Sequence, residues 1–150
     1  MLASNLEVYV VEVYKAAQNG EEITCSDLAK RLGLPIRTAI QSVQRIHYQK
    51  YLNYTTYQPI KITPKGEKLA KYIISKDSLL DSFLDILQIE QNSELEKETM
   101  SQCLTHDMLE RIEQFVLFVN QHPEIINRYK LYLEHQQKNR ILEPVPVEDR

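Results

Sequence analysis

Glycine is scarce in this chain: three in 150 residues. So few permissive backbone positions, with abundant Leu, Ile, Lys, Glu and Gln, favour a mostly helical protein. Cysteine is scarcer still. The two, Cys25 and Cys103, lie far apart and give no disulfide framework, so a reduced, cytoplasmic setting is expected. No apolar run approaches about 20 residues, which excludes a membrane-spanning helix. The opening MLASNLEVYVV has no basic region and no cleavage site, so no signal peptide is expected. Catalytic motifs are missing too. There is no glycine-rich phosphate loop, CxxC, HExxH or GxSxG, and the histidines at 47, 106, 122 and 135 are scattered. Enzymatic chemistry has no foothold in such a pattern.

Positive charge is unevenly spread. Residues 1–76 carry eleven Lys/Arg against six Asp/Glu, and residues 77–150 carry seven against fifteen. The front is therefore +5 and the back −8, within a net charge of −3. A basic front joined to an acidic back suits a nucleic-acid-binding domain attached to a different module.

Residues 23–69 are the most informative stretch. Ser26 is placed as the N-cap of a short helix whose buried face is Leu28, Ala29 and Leu32. Gly33 follows, where a left-handed residue ends a helix at little cost. Pro35 or its neighbour opens a second helix, anchored by Ala39, Ile40, Val43 and Ile46 at helical spacing. Tyr51–Tyr54 and Ile60–Thr63 read as two strands, with Thr55 to Pro59 as the tip between them. Thr63 then caps a helix that has Pro64 at its first position. Helix, turn, helix, hairpin, helix is the order of a winged helix-turn-helix, a unit that puts one helix in a DNA major groove. The DNA-facing set expected from the sequence is Ser26, Pro35, Arg37, Thr38, Gln41, Ser42, Arg45, Lys50 and Lys61, whose polar groups suit base edges and phosphates. The same geometry also serves protein-interaction modules; salt dependence of duplex binding separates the two.

A first helix is expected over about residues 4–18. Its apolar stripe is Leu6, Tyr9, Val10, Val13, Tyr14 and Ala17, with Val8 and Val11 widening it so that it should be covered on two sides. A long helix runs from Pro64 to about Leu87. Gln91-Asn92-Ser93 makes a break with a helix cap, followed by helices over 93–104, from Thr105, and from His122-Pro123. The expected class is mostly α: a winged helix-turn-helix over 1–75, a helical dimerisation domain over 76–140 and a disordered tail over 141–150. A helical module this small often completes its core by pairing with a copy of itself.

With these elements in this order, the chain resembles the diphtheria-toxin-repressor family. The nearest subgroup is the two-domain manganese transport regulators. The resemblance covers about residues 4–140 and rests on LEVYVVEVY, CSDLAKRLGL, ITPKGEKLA, LLDSFLDILQI and CLTHDMLERI as a colinear set. It implies a homodimeric repressor of a double-stranded operator, permitted to bind by manganese or ferrous ion held between the domains. It also implies the ligand positions: an Asp and a Glu on the first helix, a His in the long helix, then a Glu…Glu-His set. In this sequence those positions are Val8, Val11, Asp77, Glu98, Ser101 and Gln102. Only Glu98 keeps its ligand type, and Asp77 puts a carboxylate where an imidazole is expected. Valine has no lone pair, and manganese takes about six oxygen or nitrogen donors. The inherited switch is thus expected to be lost or altered, with no cofactor required. The alternative is a rearranged site using Asp77 and Glu98, with donors available from Glu7, Glu12, Asp81, Cys103 and His106. Thiol sensing at Cys103 is disfavoured: Glu96, Glu98 and Asp107 surround it with the wrong charge for a reactive thiolate.

Overall fold

The computed structural model describes residues 2–135, 141–143 and 146. It divides into two compact units, Met1–Ser78 and Leu79–Arg150. The expected tail over 141–150 lies largely outside the described residues. Among the described residues no helix is long and apolar enough to cross a membrane.

The first unit begins with α1 (Ser4–Gln18). Leu6, Tyr9, Val10, Val13 and Ala16 are buried on one face. Ala16, rather than the expected Ala17, takes the last buried place. The chain turns back at Gly20, and the Glu21 amide returns to the Ala16 carbonyl at 2.9 Å, closing that side of the helix end. Val8 stays 46% exposed, contrary to the expectation of cover on both sides.

Next come α2 (Cys25–Leu32) and α3 (Ile36–Tyr48). Ser26 does not cap α2. Thr24 does, and the reason is its spacing to Asp27. The Thr24 hydroxyl accepts from the Asp27 amide at 3.3 Å, while the Asp27 carboxylate accepts from the Thr24 amide at 2.9 Å. This reciprocal box satisfies two amides that the helix leaves open; Ser26, one residue inside the helix, is exposed. Gly33 ends α2 at φ 65°, and the Leu34 amide reaches back to the Ala29 carbonyl at 2.9 Å. That left-handed step sets the turn into α3. Ala39, Val43 and Ile46 then lock α3 into a core shared with Val10, Val13, Leu28 and Leu52.

The wing is short. Strands β1 (Leu52–Asn53) and β2 (Lys61–Ile62) pair antiparallel, Leu52 opposite Ile62 and Asn53 opposite Lys61. Ile60 also bridges to Ile23, which ties the returning strand to the segment before α2. Thr63 caps α4 (Pro64–Ile86) as expected. Its hydroxyl accepts from the Gly66 amide at 3.0 Å and lies 2.7 and 2.9 Å from the carbonyls of Lys50 and Tyr51.

The second unit contains the end of α4, then α5 (Ser93–Cys103), α6 (His106–Asn120) and α7 (Pro123–His135). The break before α5 is present. Asn92 turns it at φ 59°, but no side chain caps the helix. Thr105 caps α6 through the Met108 amide at 3.2 Å. Ile86, Ile112, Val116 and Val119 form the core, with Leu79, Phe83, Leu104 and Ile126 against it. Lys97 is buried, its ammonium 3.0 Å from Asp81 and 3.2 Å from Glu94.

Candidate DNA-reading face and effector cavity

The apolar anchors of α3 decide what its other side shows. With Ala39, Val43 and Ile46 fully buried, the 100° step per residue turns Arg37, Thr38, Gln41 and Arg45 outward, and all four are exposed. Ser42 is half-buried at the margin. Pro35 holds the N-cap position of α3 at φ −60°, and no side chain caps the helix start. Lys61 projects from β2 and is exposed. Arg31, by contrast, is engaged within the unit, 3.0 Å from Glu21 and 3.8 Å from Glu12.

At the far end of α3 lies a cleft of about 720 Å³, bounded by His47, Tyr48 and Lys50, by Asn53 of the wing, and by Thr63, Pro64 and Lys65. Lys50 belongs to the expected DNA-facing set. His47 and Tyr48, the last residues of α3, and Lys65, in the first turn of α4, do not. Lys65 sits with its ammonium 3.1 Å from the Gln49 carbonyl and 4.2 Å from the centre of the Tyr51 ring.

A second cavity, of about 400 Å³, opens within the first unit beside α1. Val8, Val11, Leu32, Ile73 and Ile74 form its apolar lining, with Ser4, Glu7, Glu12, Lys15 and Asp77 around them. Three of the positions where the resemblance implies metal ligands, 8, 11 and 77, therefore meet in one place. Two of the three are valines, with no donor atom in the side chain. Burial pushes the Glu7 carboxyl above its usual range, and Lys76 partly offsets this. Glu12 leans on Arg31, and Lys15 adds a positive charge to the lining. This donor set does not fit a manganese or ferrous ion.

The remaining positions lie in the second unit. Glu98 and Gln102 are exposed on α5 and Ser101 is half-buried. Two of the donors considered for a rearranged site are engaged elsewhere: Asp81 with Lys97, and His106 with Glu110 at 3.2 Å. Among the described residues no three His, Cys, Asp or Glu side chains gather closely enough to hold a metal ion. Cys103 is exposed, and Cys25 is buried with its thiol pushed up by that burial.

Residues 63–130 match the family model of the iron dependent repressor metal-binding and dimerisation domain. Relatives extend the match over the front. The HTH-type transcriptional regulator MntR of Lysinibacillus sphaericus is 26% identical over 129 residues, covering 85% of this chain and 93% of that protein. MntR of Listeria welshimeri is 26% identical over 131 residues, covering 87% and 92%. In these matches the chain is similar to the regulators of the diphtheria-toxin-repressor family. Solved structures agree on the fold. The manganese regulator SloR superposes with a TM-score of 0.67 at 19% identity over 78% of this chain, and the metal-dependent transcriptional regulator MtsR with 0.68 at 18% over 78%. The chain spans 55% of each of those two longer proteins. Both MntR relatives are named as transcriptional regulators.

Proposed function

We propose that this chain is a member of the diphtheria-toxin-repressor family, a sequence-specific DNA-binding transcriptional repressor that acts as a cytoplasmic homodimer without the family's metal switch. One observation carries the DNA reading. Arg37, Thr38, Gln41 and Arg45 are exposed together on a helix whose opposite side is locked in the core. Bidentate and amide side chains on one helix face are what a major groove requires. The relatives' naming as HTH-type regulators supports the same reading.

Homodimerisation is supported by the second unit. Phe115, Leu117 and Phe118 of α6 and Leu131 and Tyr132 of α7 are all exposed, and large apolar side chains left in water are candidates for cover by a second copy. Two copies also present two recognition helices to successive major grooves. Loss of the metal switch is supported by Val8 and Val11, which leave the expected site without its first-helix donors.

Selection of bound duplexes from a random pool tests the reading. An enriched two-fold-symmetric motif is expected, with sedimentation giving a dimer at micromolar concentration. Binding without any enriched motif, or a monomer, refutes it.

A further inference from the structure

We propose that the cleft between the end of α3, the wing and the start of α4 seats a backbone phosphate of the bound duplex, gripped by Lys50 and by the Nε2–H of His47. This rests on the DNA-binding reading and adds a contact apart from the base-reading face.

Chemistry supports an anion. Apart from the Tyr48 phenol, every ionisable side chain lining the cleft is basic: His47, Lys50 and Lys65. No carboxylate lines it. Phosphate oxygens are acceptors only, and such a surface offers them donors.

Two backbone groups hold the imidazole at Nδ1. The Tyr54 amide donates to His47 Nδ1 at 3.2 Å. With Nδ1 accepting, the neutral ring carries its proton on Nε2. The Leu52 carbonyl lies at the same 3.2 Å from Nδ1. The other neutral tautomer donates from Nδ1 to that carbonyl; an anion at Nε2 selects the tautomer in which Nδ1 accepts from Tyr54 and Nε2–H donates to the anion.

Lys50 supplies the independent observation. It sits at φ 67°, in the left-handed region, just past the C-cap of α3. Glycine holds such positions at no steric cost, while lysine is strained there. The backbone is nonetheless pinned: the Lys50 amide bonds the His47 carbonyl at 2.9 Å and the Lys50 carbonyl accepts from Thr63 at 2.7 Å. A side chain kept where the fold prefers none points to a use outside the fold.

The test exploits that conflict. Lys50→Gly in the full chain should melt at the same or a higher temperature than the parent, yet bind every duplex several-fold more weakly. Its salt slope should be shallower by about one. His47→Ala should weaken binding without changing the selected motif, and His47→Gln, which restores an amide donor, should recover part of the loss. Ethylation of one phosphate per half-site should interfere with the parent and less with Lys50→Gly, which keeps only the His47 contact. Sodium phosphate alone, titrated to about 10 mM, should not saturate the cleft, since one phosphate lacks the rest of the duplex. Saturation by free phosphate at low millimolar concentration assigns the cleft to a small anion and overturns the proposal. So do an unchanged salt slope in Lys50→Gly, or a changed motif in His47→Ala. If motif binding by the parent persists through those results, the cleft falls alone. If the parent binds no DNA, the DNA-binding reading falls with it.

Discussion

Gly66, in the first turn of α4, lies directly against the carbonyl oxygen of Tyr51. A Cβ at this position would run into that oxygen and into the side chain of Ile62. Tyr51 itself follows the end of α3, so the contact seats α4 on the base of the wing. Gly66→Ala must push backbone against backbone, which no rotamer change relieves. A loss of about 1–3 kcal/mol is expected, the usual cost of overpacking. Urea denaturation measures it, and a variant as stable as the parent refutes the close approach.

The box between Thr24 and Asp27 makes a pH-dependent contribution. The Thr24 amide, then its hydroxyl, hold the Asp27 carboxyl below the usual carboxylate range. Its stabilisation is complete above pH about 4, where the unfolded carboxylate is also ionised, and is lost as pH falls through the lower folded value. Thr24→Ala should cost about 1 kcal/mol at neutral pH. Asp27→Asn should cost less at pH 3 than at pH 6. Denaturation of both variants across that range checks the direction.

Much of this was readable from residue order. Pro64 after Thr63, Gly33 after Leu32, and the 3.6-residue recurrence of Ala39, Val43 and Ile46 each fix one local conformation. The misses have physical causes. Ser26 and Thr24 are both good capping residues, and only the reach of Asp27 back to Thr24 chooses between them. Ala16 and Ala17 are equally apolar, and the turn at Gly20 decides which is covered. The cleft around His47 and Lys65 was not legible at all. It is assembled from the end of α3, the wing and the start of α4, and no periodicity marks it. The left-handed lysine at position 50 was likewise invisible, since nothing in the string gives a φ angle.

Lys97 is a buried charge of the second unit, and the two carboxylates beside it are unequal. Asp81 reaches it from α4 and Glu94 from its own helix. Asp81→Asn leaves the ammonium with a weaker acceptor across the helix pair and should cost about 1–2 kcal/mol. Lys97→Met keeps the apolar stem and removes the need for a counter-charge, so it should cost less. Thermal melts of the two variants give the order; the reverse order refutes Asp81 as the tie between α4 and α5.

Arg37 and Lys61 should fail in different ways. Arg37 is exposed on the reading face of α3, and Arg37→Ala should weaken the selected duplex by about 1–3 kcal/mol while relaxing preference at one position. Lys61 projects from the wing. Lys61→Ala should weaken all duplexes alike and flatten the salt slope. Binding measured on matched and scrambled duplexes at two salt concentrations separates them. Equal effects on both duplexes from Arg37→Ala remove it from base reading.

The proposed loss of the metal switch is open to a direct test. Val8, Val11 and Asp77 line one cavity, and two of the three have no donor atom. DNA binding by the parent should therefore be indifferent to chelator and to added manganese or ferrous ion. The variant V8D/V11E puts two carboxylates beside Asp77 in that cavity. Calorimetry should then detect manganese binding that the parent lacks, since the two added carboxylates join Glu7, Glu12 and Asp77 and bring the cavity closer to the oxygen-rich donor set a hard cation takes. Ser101 and Gln102 remain unsuited as ligands, so affinity should stay well below that of a complete site. The opposite result is equally clear. A micromolar manganese site in the parent, whose occupancy raises operator affinity about tenfold or ~1.4 kcal/mol of coupling, would place the switch on a rearranged set including Asp77 and Glu98, and the valines would then be packing residues beside it.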